Sequence, residues 1–277
     1  MIGCGKNQVL KKENVNETNQ EQATENKETT EEQQENTNNN TEEQSQSQID
    51  YINIAPEEVK IPILMYHSIS DEDPSNNLLV PPAMFEEQMA WLEANNFTAM
   101  NMDEALEAMR TGKVPKRPVV ITFDDGYANN YTSAFPSLKN HKLKATFFVI
   151  TDGVDNGYYM SSDNLKEMQE AGMSIENHTA NHLELNNLSK TDAYESIKRA
   201  QDYLRNVIGS DGNYLCYPVG KYNDETIQIE EELGIKAAVT TQGGFASIND
   251  GLHTLKRVRI SPMSIEGFAS IFSEYIN

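Results

Sequence analysis

Val119-Val120-Ile121-Thr122-Phe123-Asp124-Asp125-Gly126-Tyr127 is an apolar, β-branched run closed by two acids and a glycine. Val, Ile, Thr and Phe favour a strand, and Asp-Asp-Gly supplies turn chemistry. A run without polar alternation reads as a strand buried on both faces, as in a parallel sheet covered by helices. Such a strand delivers two adjacent carboxylates at its C-terminal end. Further on, Met173-Ser174-Ile175 precedes His178-Thr179-Ala180-Asn181-His182. Together the two pieces offer an Asp and two His for a metal, plus a second Asp beside it, which is enough for a hydrolytic centre.

The pattern extends on both sides. Apolar, β-rich runs occur at residues 61–66, 119–123, 145–150, 173–176, 214–217, 237–241 and 255–260. Helical patterns lie between them. Phe85, Met89 and Leu92 share one face, as do Tyr194, Ile197, Tyr203, Leu204 and Val207 behind a capping signal at Ser189 and Asp192. Further helices are expected over 102–110, 128–140, 162–171, 223–233 and 264–275. Strands alternating with helices imply right-handed crossovers. The expected fold class is α/β, a distorted (β/α) barrel with about seven parallel strands. There is no clear internal repeat.

The chain has 277 residues, of which 38% are hydrophobic. The apolar deficit sits at the front: residues 11–48 contain one Val, one Ala and no aromatic residue. That composition cannot bury enough surface to offset chain entropy, so residues 1–50 are expected to be a disordered polar tether and residues 51–277 the catalytic domain. A formal net charge of −21 argues against a nucleic-acid surface. Cys4 lies in the tether and Cys216 in the core, so a disulfide is not expected. Met1-Ile2-Gly3-Cys4 resembles the end of a bacterial lipoprotein signal, although the charged and apolar regions that should stand before it are absent. A polar tether behind such a Cys suits a surface lipoprotein. The expectation is an extracellular or cell-surface monomer that meets a membrane only through a lipid anchor at Cys4.

Each polar group also has a plain structural reading. Asp-Asp-Gly is often a turn with Asp capping the next helix. His178 and His182 have the four-residue spacing that puts two side chains on one side of a helix, with or without a ligand. His67, after Leu64-Met65-Tyr66, could be a satisfied core histidine. What joins them is position. His67, Asp124, Asp125, His178, His182 and Pro218-Val219-Gly220 all follow expected strands, at the end where barrel enzymes gather their chemistry.

These motifs are where the chain resembles the polysaccharide deacetylases of the NodB-like carbohydrate esterase family (family 4), over about residues 60–262. Thr122-Phe123-Asp124-Asp125-Gly126 matches the family's first motif, and His178-Thr179-Ala180-Asn181-His182 its second. Lys144-Ala145-Thr146-Phe147-Phe148-Val149 resembles the strand that follows the first motif. The resemblance implies that Asp125, His178 and His182 hold a divalent metal, zinc first, with cobalt, nickel or iron as alternatives. It implies Asp124 as catalytic base.

The resemblance has two departures. The third motif reads Cys216-Tyr217-Pro218-Val219-Gly220, with Cys216 where most members carry the Arg that orients the base. Arg257 and Arg259 are the candidates to replace it. Val219 takes the tyrosine position, whose backbone N–H helps hold the oxyanion in the family. The usual late catalytic His is also missing, because His253 precedes its strand. Ile63-Leu64-Met65-Tyr66-His67-Ser68 instead resembles the early segment of the poly-β-1,6-N-acetylglucosamine deacetylases, which implies His67 as general acid. The expected partner is an acetylated polysaccharide, and the expected reaction is metal-dependent release of acetate from its N-acetyl groups. Tyr127, Pro218, Val219 and Gly220 are the expected substrate and oxyanion contacts. Tyr127, Tyr158, Tyr159 and Trp91 could stack on sugar, although packing is the commoner role for such rings. Peptidoglycan, chitooligosaccharide and xylan remain open as substrates. So do a non-catalytic glycan-binding protein and an iron-dependent oxygenase using the same Asp and two His.

Overall fold

The computed structural model describes residues 49–276. Cys4 and all but the last two residues of the expected tether lie outside the described residues. Ten strands occur among them: β1 (Tyr51–Asn53), β2 (Ile63–Tyr66), β3 (Thr98–Met100), β4 (Lys113–Pro115), β5 (Pro118–Phe123), β6 (Thr146–Val149), β7 (Ser174–Asn177), β8 (Tyr214–Cys216), β9 (Ala237–Gly243) and β10 (Leu255–Arg259).

Seven of them close a parallel barrel in the order β2-β10-β9-β8-β7-β6-β5. Closure comes from β2, which pairs with β10 through Val258↔Leu64 and with β5 from Ile63↔Val120 to Tyr66↔Phe123. These are the seven expected strands. Three short strands carry little apolar signal and were not anticipated. Of these, β3 pairs with the first half of β5 (Thr98↔Pro118 to Met100↔Val120), while β6 takes Thr122 and Phe123. The other two, β1 and β4, form an antiparallel ribbon outside the barrel, at the end where β5 begins.

The β5 run is apolar throughout because each of its faces meets a core. Val119, Ile121 and Phe123 point outward and pack with Leu64, Phe147, Val149 and Ile175 beneath the helices. Val120 points inward with Ile63, Phe148, Tyr214, Cys216, Val239 and Leu255. Helices formed where expected, with side-chain caps at Asn101, Ser161, Ser189 and Asn223. The helix expected over 128–140 is present but not α throughout. Asn130–Ala134 is a π-helical turn, and the α-helix proper is Phe135–Asn140.

The barrel interior also holds a carboxyl group. Glu176 accepts from the Ser174 hydroxyl at 2.9 Å and from the Tyr214 N–H at 3.1 Å. Burial outweighs both bonds and pushes its pKa up to about 7. The unfolded chain ionises this group near 4.5, so the folded state loses stability as pH rises from there through 7. The full penalty is about 3 kcal/mol. Glu176→Gln keeps an acceptor for Tyr214 and removes the charge. Its melting temperature at about pH 8 should exceed that of the unsubstituted protein by several degrees, and the gain should vanish at about pH 4.

Candidate active site

Asp124 and Asp125 are neighbours in sequence but serve different partners. Asp124 leaves β5 in line with the strand, and its N–H still bonds the Tyr66 carbonyl at 2.9 Å. Its carboxylate meets a fully buried Arg257 in a fork, Nη1 to Oδ1 and Nη2 to Oδ2, both at 2.7 Å. Burial alone would raise the Asp124 pKa. The guanidinium overrides it and holds the group well below the usual carboxylate range. Arg257 is satisfied on every side: Nε donates to the Thr240 carbonyl at 2.9 Å, Nη1 to Thr122 Oγ1 at 3.1 Å and Nη2 to Cys216 Sγ at 3.3 Å.

Asp125 turns the other way because its backbone is left-handed, with φ 73°. Its Oδ1 lies 3.2 Å from His178 Nε2 and 3.4 Å from His182 Nε2. The two histidines sit on a loop after β7, not on a helix. Their common direction comes from left-handed conformations at Thr179 (φ 64°) and His182 (φ 55°). The Thr179 N–H bonds Asn177 Oδ1 at 2.7 Å, and the His182 N–H bonds Thr179 Oγ1 at 3.0 Å. His178 Nδ1 lies 2.7 Å from the Cys216 carbonyl, which can only accept, so this nitrogen carries the hydrogen.

That tautomer provides the test for a metal. With Nδ1 protonated, His178 aims Nε2 at a carboxylate oxygen 3.2 Å away, and although burial would lower the pKa of this imidazole, Cys216 and Asp125 together raise it. Such a contact needs a proton or a cation between the two atoms. A tetrahedral ion with ligand distances of ~2.1 Å holds its donors about 3.4 Å apart, the spacing seen around Asp125 Oδ1. Burial and the neighbouring His178 lower the pKa of His182, favouring the neutral imidazole that a metal takes. All three donor atoms lie within 4.8 Å of one another. Asp124, His178 and Cys216 form a second convergent group. It fits less well, because Arg257 already occupies both Asp124 oxygens and the sulfur.

His67 Nε2 stands 3.8 Å from Asp124 Oδ2. Burial lowers its pKa, and the two nearby aspartates offset this only in part. The π-helical turn next to Asn129 fixes the segment. Asn130 donates to the His67 carbonyl at 2.7 Å, while Asn129 donates to Ser68 Oγ at 2.8 Å and accepts from the Ile69 N–H at 3.1 Å. His67 Nδ1 is buried without a protein partner among the described residues. His253 is elsewhere: its Nδ1 meets the buried Glu230 carboxylate at 2.6 Å. Pro218, Val219 and Gly220 form a tight turn after β8, with Val219 at φ 53°. The turn uses the Gly220 N–H to Tyr217 and the Lys221 N–H to Pro218, and neither bond takes the Val219 N–H. A Cβ on Gly220 would stand 2.2 Å from Thr241 Oγ1, so only glycine fits there. Tyr127 lies beside Asp125, and burial together with that carboxylate raises its hydroxyl pKa. Trp91 is remote and packs with Phe97, Phe268 and Phe272.

Alternation along β10 puts Arg257 and Arg259 on the same face, so sequence could not choose between them. Depth decides, since Arg257 lies inside the barrel and Arg259 is exposed. The carbonyls of Cys216 and Thr240 and the Thr122 hydroxyl left no signal, because two are main-chain groups and the third reads as an ordinary strand residue.

The residue pattern of the polysaccharide deacetylase family matches residues 111–238, which include both aspartates, both loop histidines and the Pro218 turn but not His67 or Arg257. A Bacillus subtilis (strain 168) protein, YxkH, provisionally named a polysaccharide deacetylase, is 40% identical over 218 residues, covering 78% of this chain and 76% of its own. A poly-β-1,6-N-acetyl-D-glucosamine N-deacetylase of Staphylococcus epidermidis is 28% identical over 230 residues, covering 73% and 80%. Among solved structures, the Streptococcus pyogenes deacetylase PplD in complex with acetate superposes with a TM-score of 0.74 at 36% identity. The match covers 78% of this chain and 99% of that one.

Removing one partner of a buried ion pair leaves a charge without compensation, which costs about 3–5 kcal/mol. Arg257→Met should lose that much stability in urea unfolding. Adding Asp124→Asn to it should recover a large part of the loss, whereas simple additivity of the two substitutions would show that the pair is not coupled.

Proposed function

The chain belongs to the polysaccharide deacetylase family, and we propose that it hydrolyses N-acetyl groups of a GlcNAc-containing polysaccharide with a divalent metal held by Asp125, His178 and His182. The observation that carries the reading is the division of labour between adjacent carboxylates. Asp125 shares one oxygen with two imidazoles, and Asp124 is withheld from them by Arg257. Two nitrogens and one carboxylate oxygen suit zinc, with cobalt, nickel and iron as alternatives. Such an ion lowers the pKa of water towards ~7 and polarises a carbonyl.

The remaining roles fall to the protein. Asp124 accepts the proton of the attacking water. Arg257 keeps it ionised and fixes the plane of its carboxylate. The Val219 N–H donates to the oxygen that becomes negative, a contact of a kind worth about 3 kcal/mol. His67 Nε2 delivers a proton to the leaving nitrogen, and burial, by lowering its pKa, makes the imidazolium the stronger acid. Acetate and a free amine result. Tyr127 lines the substrate side with the Pro218-Val219-Gly220 turn. A catalytic role for His253 is not favoured, since its Nδ1 is committed to Glu230. The fork of Arg257 on Asp124, where the third motif lacks its Arg, supports a catalytic reading over a non-catalytic glycan binder.

Poly-β-1,6-N-acetylglucosamine is the substrate we favour, supported by the named staphylococcal relative and by the early His67. We further propose that residues 51–277 act as the catalytic domain of a cell-surface monomer. No helix of the described residues is long and apolar enough to cross a membrane. The likeness of Met1-Ile2-Gly3-Cys4 to the end of a lipoprotein signal supports a lipid on Cys4 as its attachment.

Acetate release from acetylated glycans tests the reading. Asp124→Asn, Asp125→Ala and His178→Ala should each lose more than about 100-fold in kcat. A chelator should silence the enzyme and added zinc should restore it. Turnover that survives both Asp125→Ala and chelation would overturn the metal assignment.

A further inference from the structure

Seven large apolar side chains are exposed among the described residues. Three of them stand around the site: Tyr158 at 66% exposure, Val219 at 55% and Leu183, next to His182, at 48%. Tyr158 is the most exposed, and it is also held firmly. Its carbonyl accepts from the Ala128 N–H at 3.0 Å, and its own N–H bonds Asn156 Oδ1 at 2.9 Å. The same Asn156 oxygen accepts from the Tyr159 N–H at 3.1 Å.

The ring is fixed as well. It meets Tyr127 edge-on at 5.4 Å and Tyr159 edge-on at 5.1 Å, while those two stack on each other at 5.5 Å. Tyr159 can lie there because residue 153 is glycine: a Cβ on it would stand 2.5 Å from the Tyr159 ring. Tyr127 adjoins Asp125, so Tyr158 sits one ring farther out than the reacting centre. A large aromatic face is thus presented to solvent beside the catalytic carboxylates, with its conformational freedom already restricted. Binding against such a face loses little further entropy.

We propose that Tyr158 is the stacking platform of an outer sugar subsite, taking the ring next to the acetylated residue under attack. A β-linked, equatorially substituted hexosamine presents a face of axial C–H bonds, which is the apolar partner an aromatic face accepts. The subsite makes the enzyme one that recognises chains, not isolated sugars. The inference rests on the deacetylase reading and deepens it.

The test compares two-sugar and six-sugar β-linked N-acetylglucosamine oligomers on the metal-loaded enzyme. Tyr158→Ala should lower the ratio of kcat/KM for the six-sugar over the two-sugar substrate by about 3- to 10-fold, through KM and not kcat. Tyr158→Phe and Tyr158→Trp should keep the ratio. An unchanged ratio in Tyr158→Ala, or a fall in Tyr158→Phe as large as in Tyr158→Ala, overturns the proposal. If the unsubstituted enzyme releases no acetate from either oligomer, the hydrolytic reading fails separately. Calorimetric titration then decides for Tyr158: a preference for the longer oligomer that disappears in Tyr158→Ala supports the platform, and equal affinities overturn it.

Discussion

The site depends on the forked contact between Arg257 and Asp124 inside the barrel. Taking two charges out of water is costly, and the pair is tolerated only because every donor of the guanidinium is used. Those bonds reach Asp124 beyond β5, Thr122 within it, Cys216 on β8 and Thr240 on β9. One side chain from the last strand therefore ties together elements from across the barrel. Its main effect is on the neighbouring residue. With both Asp124 oxygens engaged, Asp125 is the carboxylate left to face the histidines, and two adjacent acids acquire separate chemistry from their surroundings.

The second constraint is backbone strain. Seven non-glycine residues of the described chain have positive φ, and four of them, Asp125, Thr179, His182 and Val219, build the site. A β-branched residue such as Thr179 or Val219 disfavours that region. Each is retained by fixed neighbours: the Ile150 N–H on the Asp125 carbonyl, the Asn177 side chain at Thr179, the Thr179 hydroxyl at His182, and the turn bonds around Val219. Strain of this kind collects where geometry matters more than local comfort.

Much of this was legible in the chain. The seven barrel strands appear as apolar runs because both of their faces are buried, and the metal-binding candidates appear because they follow those runs. Other features left no local trace. Arg257 could not be told from Arg259 by alternation, since the distinction is one of depth. The shared direction of His178 and His182 arises from loop dihedrals that four-residue spacing mimics without explaining. The strands β1, β3 and β4 are three residues each, too short for periodicity to register.

The ribbon of β1 and β4 has a geometrical consequence. It lies where β5 begins, whereas the acids and histidines stand where the strands finish. Ile49, the first described residue, therefore lies at the pole opposite the mouth. An attachment made at that pole would leave the mouth facing outward, toward whatever polymer lies beyond.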